Sequence, residues 1–215
     1  MSSKFRLRRI FHPLIKMMAK GFIKIGVSPN LATCIMLVFS FLSFISLVFL
    51  SCLILFSLFV FFTGIFDGID GAIARLSNKS SSFGGFFDSI MDRISEFVIF
   101  LALLIYCWEN ILWNFIEVRI IILISFLSTL MISYLRARAE VIVKDNFDFG
   151  LMARSERLFY IFITMLIASF FNFINEFLFL FMILVLITAL YRYFKIYNLI
   201  KEHELMSKEN FIHDF

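Results

Sequence analysis

Cysteine, histidine and proline are scarce in this chain: three, three and two of its 215 residues. Cys34, Cys52 and Cys107 are scattered through apolar runs, with no C-x-x-C pair and no Cys/His cluster. That argues against a zinc site and against a disulfide framework, and leaves the thiols as small buried hydrophobes. His12, His203 and His213 fall outside the apolar runs and form no ligand set. No internal repeat is visible. A secretory leader is not expected either, because no uninterrupted apolar core follows the first charges.

Apolar sequence fills the chain instead. Hydrophobic residues make up 61%, phenylalanine alone occurs 32 times, and the mean hydropathy is +0.95. A soluble domain is nearer half apolar, so the composition is that of an integral membrane protein. The length suits one domain. The net charge of +4 and pI near 9.0 are better explained by a membrane surface than by nucleic acid, which is not expected as a partner.

The first 28 residues are basic, with Lys4, Arg6, Arg8, Arg9, Lys16, Lys20 and Lys24, while Phe11, Leu14, Ile15, Met18 and Phe22 share a helical stripe. This pattern predicts an amphipathic helix in the headgroup layer. Ser28-Pro29-Asn30 is a helix-start signal. Six apolar runs follow, near 31–50, 52–75, 85–108, 118–140, 156–175 and 177–200. The first two divide at Ser51-Cys52. The second, third and fourth carry charged ends that project beyond the bilayer. The expected fold is therefore all-α: six transmembrane helices (residues 1–200 with the interfacial segment 1–28) and a mobile polar tail over 201–215. With six spans, every one of the 20 Lys and Arg except Arg119 falls on one side. The positive-inside rule then places both termini at the cytoplasmic face of the cell membrane.

One stretch interrupts the apolar pattern, D-G-I-D-G-A-I-A-R-L-S-N-K-S-S-S-F-G-G-F-F-D-S-I-M-D from Asp67 to Asp92. Asp67 and Asp70 are three apart on one helical face, with Gly71 and Ala74 continuing it. Asp88 and Asp92 are one turn apart on a second helix. The polar linker 76–83 lets that helix fold back on the first, and the glycines allow close approach. Four carboxylates would then meet between two helices, where they repel unless cations neutralise them. A hard divalent ion with oxygen ligands is the natural partner, and two such ions suit four carboxylates. The alternative from a different class is an ion-coupled transporter using the same intramembrane carboxylates.

The stretch resembles the signature of the CDP-alcohol phosphotransferases, D-x2-D-G-x2-A-R-x8-G-x3-D-x3-D, at Asp67, Asp70, Gly71, Ala74, Arg75, Gly84, Asp88 and Asp92, with every spacing intact. The resemblance implies an integral membrane enzyme, homodimeric, that moves a phosphate-linked group from a CDP-linked donor to an alcohol and releases CMP. It implies Mg2+ or Mn2+ held by Asp67, Asp70 and Asp88, with Asp92 as the base that deprotonates the acceptor and a further contact to metal. It assigns Gly71 and Arg75 to the CDP group, with Ser81 in the linker and Asn30 and Thr33 at the start of helix one.

A second basic group lies at S-Y-L-R-A-R-A-E (Ser133–Glu140) and G-L-M-A-R-S-E-R (Gly150–Arg157). Arg154 and Arg157 are one turn apart, which suits a doubly held phosphate. These segments are similar to elements of the branch that makes inositol phosphate lipids, with Arg136 where lysine is frequent. By that resemblance Arg136, Arg138, Arg154 and Arg157 bind the phosphate of the acceptor, and Arg192 and Lys195 complete the pocket. The implied reaction joins a CDP-diacylglycerol or CDP-archaeol to inositol phosphate. Glycerol phosphate is the alternative acceptor in the same class. Glu140 and Glu156 are read as orienting the arginines, and Glu96, one turn beyond Asp92, as a supporting acid.

Overall fold

The Ser28 hydroxyl accepts a hydrogen bond from the Leu31 amide at 3.2 Å, and Pro29 sits in the first turn, where no intrahelical donor is needed. Ser81 does the same for a later helix, accepting from the Gly84 amide at 3.0 Å. The computed structural model describes residues 7–143 and 149–213; Lys4, Arg6 and Lys144 of the expected cytoplasmic charges lie outside them. Those residues form seven helices: α1 (Leu7–Lys24), α2 (Pro29–Val48), α3 (Leu53–Leu76), α4 (Ser82–Tyr106), α5 (Val118–Ile142), α6 (Arg154–Ala168) and α7 (Ile174–His213). The last helix continues without a break through residues 201–213 of the polar C-terminal segment.

Four of the helices are long and apolar enough to cross a membrane: α2, α3, α5 and α7 as far as His203. The other two expected spans fall short for different reasons. The 25-residue α4 is long enough but carries Asp88, Asp92, Arg93 and Glu96. The 15 residues of α6 rise only about 22 Å, less than the roughly 30 Å of a hydrocarbon core.

Sequence periodicity did not reveal the hairpin between α4 and α5, where β1 (Ile111–Leu112) pairs antiparallel with β2 (Ile116–Glu117). Its turn places Trp113 and Asn114 at φ 51° and 63°, the left-handed pair a tight hairpin turn requires. Without glycine at that turn the sequence gives no signal for it.

Helix α3 is the hub. It packs against α2, α6 and α1, while α5 packs along α7 and α2 along α4. The stripe on α1 is used against this hub: Ile15 and Ala19 are buried with Ile65, Phe66, Ile69 and Ala72, and Phe11, Met18 and Phe22 flank them. Leu14, expected on that stripe, is exposed. Ile15 lies over Gly68: a β-carbon there would stand 2.6 Å from Ile15 Cδ1, so the end of that side chain would have to move. A second core joins the other halves of α3–α7 around Phe56, Leu103, Ile121, Met165 and Phe181. The second half of α3, the first half of α4, the end of α5 and the start of α6 lie around one cavity that they line.

Candidate active site

Three of the four expected carboxylates come within reach of one ion. Asp67 on α3 and Asp88 and Asp92 on α4 each offer one oxygen, all within 4.8 Å of one another. Asp70, one turn beyond Asp67, is buried at 5% exposure and accepts a hydrogen bond from Thr33 Oγ1 on α2 at 2.8 Å. Asp88 Oδ1 is buried and has no hydrogen-bond partner among the described residues. An uncompensated buried carboxylate oxygen beside two more carboxylates fits a hard divalent cation, which would satisfy it.

One cation is already there. The Arg154 guanidinium, carried by the first residue of α6, reaches between Asp67 and Asp92 and bonds an oxygen of each through the same nitrogen. Its other terminal nitrogen donates to Ser95 Oγ at 2.7 Å and to the Asp92 carbonyl at 3.4 Å. Ser95 in turn donates to the Asp92 carbonyl at 2.9 Å. Arg154 therefore touches both helices of the signature from a third.

A cavity of about 480 Å³ opens over these groups. Asp67, Asp70, Asp88, Asp92 and Arg154 line it. Gly71, Arg75, Arg136 and Arg192 also line it, and Phe11, Phe61 and Phe159 add apolar surface. Arg75 folds back over Gly71, where a β-carbon would meet its Nη1 at 3.3 Å. Asn30 and Ser81 meet at Gly84 rather than at the cavity wall. A β-carbon on Gly84 would stand 3.0 Å from Ser81 Oγ and 3.5 Å from Asn30 Oδ1. Thr33 acts through Asp70.

The arginines expected to hold the acceptor phosphate are distributed unevenly. Arg136 lines the cavity and pairs with Glu140 at 2.8 Å. Arg138 is exposed and outside the cavity lining. Lys195 also lies outside it, its ammonium 4.3 Å from the centre of the Phe149 ring. Arg157 borders the cavity but is only 1% exposed, its guanidinium bound to both oxygens of Glu96 at 2.8 and 3.1 Å and to the Met152 carbonyl at 3.1 Å. That corrects the reading of Arg157 as an open phosphate ligand, since its donors are committed to buried protein groups. Glu96 has Arg157 as partner; Glu156 hydrogen-bonds with Ser155. Arg192 is likewise buried, donating to the carbonyls of Phe149 and Ile132 at 2.6 and 2.8 Å. Sequence reasoning missed Ser95, whose only signal is its place three residues after Asp92 on a buried face.

The comparisons agree with one another. Residues 26–197 match the model of the CDP-alcohol phosphatidyltransferase family. The chain is 30% identical over 196 residues to the archaetidylinositol phosphate synthase of Pyrococcus horikoshii, covering 91% of this chain and 96% of that one. It is 30% identical over 159 residues to the phosphatidylinositol phosphate synthase of Mycobacterium tuberculosis, covering 72% and 70%. The crystal structure of the latter enzyme with CDP-DAG bound superposes with a TM-score of 0.72 at 26% identity, over 86% of this chain and 94% of that one. Its complex with manganese and citrate gives 0.73 at 26% identity, over 85% and 88%.

Proposed function

Because the chain belongs to the CDP-alcohol phosphatidyltransferase family, we propose that it transfers the phospholipid moiety of a CDP-lipid to a hydroxyl of inositol phosphate and releases CMP. The observation that carries this reading is the meeting of the Asp67–Asp88–Asp92 cluster with Arg154 and Arg136 in one cavity. The cavity volume falls within the range of small-molecule sites. Asp67, Asp88 and Asp92, with Asp70 beside them, would hold Mg2+ or Mn2+, two ions in this reading, whose charge neutralises the donor pyrophosphate and the departing CMP.

The chain's own groups do the rest. Thr33 fixes the rotamer of Asp70. Arg75, drawn over Gly71, faces the pyrophosphate and nucleotide, and the Asn30–Ser81–Gly84 crevice borders them. The apolar surface of Phe11, Phe61 and Phe159 receives the start of the lipid chains. Arg154 and Arg136 hold the acceptor phosphate, with Arg192 fixing the loop from Phe149 behind them. Asp92 removes the proton of the acceptor hydroxyl as its oxygen bonds the β-phosphorus and the bond from that phosphorus to the CMP oxygen breaks.

The test is CMP release by the purified protein in detergent. Inositol phosphate, inositol, glycerol phosphate and serine are the acceptors, each with CDP-diacylglycerol and with CDP-archaeol, with and without Mg2+ or Mn2+. Metal-dependent release fastest with inositol phosphate is expected. A preference for glycerol phosphate would move the chain to the neighbouring acceptor class, and no release with any acceptor would favour ion transport by the carboxylates.

In this reading α2–α7 make six spans, with the acidic face of α4 turned to the cavity, the short α6 completing its span with residues 169–173 that follow it, and α1 lying in the headgroup layer. Both termini and the site face the cytoplasm, and the enzyme works as a homodimer. Single cysteines at Asn78 and at Trp113, in a background without Cys34, Cys52 and Cys107, test the topology. An impermeant thiol reagent outside cells should label position 113 and spare position 78. Labelling of both from the same side would overturn the six-span arrangement.

A further inference from the structure

Two charged rungs join α4 to α6. Asp92 meets Arg154, and one turn deeper Glu96 meets Arg157. The first rung belongs to the site. The second does not, yet it is the more deeply buried, with Glu96 at 2% and Arg157 at 1% exposure. We propose that the Glu96–Arg157 pair is a positioning device that sets the reach of Arg154 into the site, and hence the affinity for the anionic acceptor. The proposal rests on the reading of Arg154 as a phosphate contact.

Three observations carry it. Helix α6 packs chiefly on α3, with smaller contacts to α7 and α1, and its backbone scarcely meets that of α4. Side chains must therefore fix its height and rotation relative to α4. Secondly, the pair is made in fork geometry, Nε to one Glu96 oxygen and Nη2 to the other, which fixes orientation as well as distance. Thirdly, Arg157 also donates Nη1 to the Met152 carbonyl at 3.1 Å. Met152 lies two residues before Arg154, so Arg157 holds the entry to α6 from behind while Glu96 holds it from the side.

The geometry makes Arg154 sensitive to this clamp. Arg154 is the first residue of α6, on the turn before Arg157. A slip of α6 by one residue would rotate Arg154 by about 100° and remove it from Asp67 and Asp92. A buried ion pair is not required for stability, since apolar residues of similar size hold such contacts as well or better. Its placement one turn from the reacting groups is what a positioning role explains.

Three variants test the assignment by steady-state kinetics and thermal melting in detergent, with Arg154→Ala as the reference. The double variant Glu96→Leu/Arg157→Met removes both charges together. It should melt near the wild type, show an acceptor KM raised on the order of 10- to 100-fold, and leave the donor KM unchanged. Arg157→Lys keeps the charge but cannot reach Glu96 and Met152 together, and should raise the acceptor KM in the same direction. Glu96→Gln keeps one of the two acceptors for Arg157 and should be less impaired than the double variant; a group that moved protons would not be replaced by an amide. A folded double variant or Arg157→Lys with the wild-type acceptor KM overturns the proposal, as does a folded Glu96→Gln as impaired as the double variant. If Arg154→Ala itself leaves the acceptor KM unchanged, the reading beneath the proposal fails instead.

Discussion

Asp92→Asn is expected to lower kcat by about 10²- to 10⁴-fold, the span usual for loss of a general base. The amide has nearly the same shape and still accepts from Arg154, so the α4–α6 contact survives. What it cannot do is take the proton of the acceptor hydroxyl. Asp88→Asn provides the contrast. Among the described residues Arg154 hydrogen-bonds Asp67 and Asp92 but not Asp88, whose buried Oδ1 has no partner. Asp88 serves as a pure ligand candidate, so its replacement should weaken metal binding and be offset in part by raising Mn2+. Asp92→Asn should stay slow at every metal concentration. The measurement is kcat against Mn2+ for both variants at saturating substrates. Recovery of Asp92→Asn to within tenfold of the wild type at high Mn2+ would make Asp92 a ligand only and leave the base unassigned.

The parts of this molecule that follow local rules are legible in its sequence. The faces that carry the carboxylates follow from helical spacing: Asp67 to Asp70 and Asp88 to Asp92 each stay on one face, and the fold-back over the linker brings Asp67, Asp88 and Asp92 together. The start of α2 follows from Ser28-Pro29, whose hydroxyl satisfies an orphan amide in the structure; Ser81, read only as a linker residue, does the same for α4. The α1 stripe is visible as a period. Its partner is not, because a stripe reads the same whether it faces lipid or Gly68 and Ala72 of α3.

What escaped depends on contacts between segments far apart in sequence. Arg154 and Arg157 look equivalent at one-turn spacing. In the fold one reaches Asp67, 87 positions away, and the other reaches Glu96, 61 positions away. No local pattern separates a cavity arginine from a buried one. Lys195 and Arg138 lie outside the cavity lining for a simpler reason: basic residues cluster at one end of a membrane protein for topology alone, so type and location do not select those that face the cavity. The hairpin turn at Trp113-Asn114 was hidden by the absence of glycine where a positive φ occurs.

The same long-range contact makes Arg154→Ala the variant with the largest expected effect on stability, and metal decides its size. In the metal-free protein Arg154 is the cation between Asp67 and Asp92, and all three side chains are largely shielded from water, with 14%, 22% and 14% exposed. Removing one partner of a buried pair leaves an uncompensated charge, at about 3–5 kcal/mol. Here it would leave three clustered carboxylates with Arg93, 3.8 Å from Asp92 and half-exposed, as the nearest weak counter-charge. At roughly 2–4 °C per kcal/mol for a chain of this size, the melting temperature in EDTA should fall by about 6–20 °C. Adding Mn2+ supplies the missing positive charge, and ligand binding to the folded state raises stability by mass action. The rise on adding Mn2+ should therefore be larger in Arg154→Ala than in the wild type, and should recover most of the difference. Arg154→Lys should fall between, because a single ammonium can stand between Asp67 and Asp92 but cannot also bond Ser95 in fork geometry. Melting curves of the three proteins in EDTA and in saturating Mn2+ decide it. Equal melting temperatures of wild type and Arg154→Ala in EDTA would show that the guanidinium does not compensate the carboxylates. An equal Mn2+ response in both would show that arginine and metal do not answer the same charge.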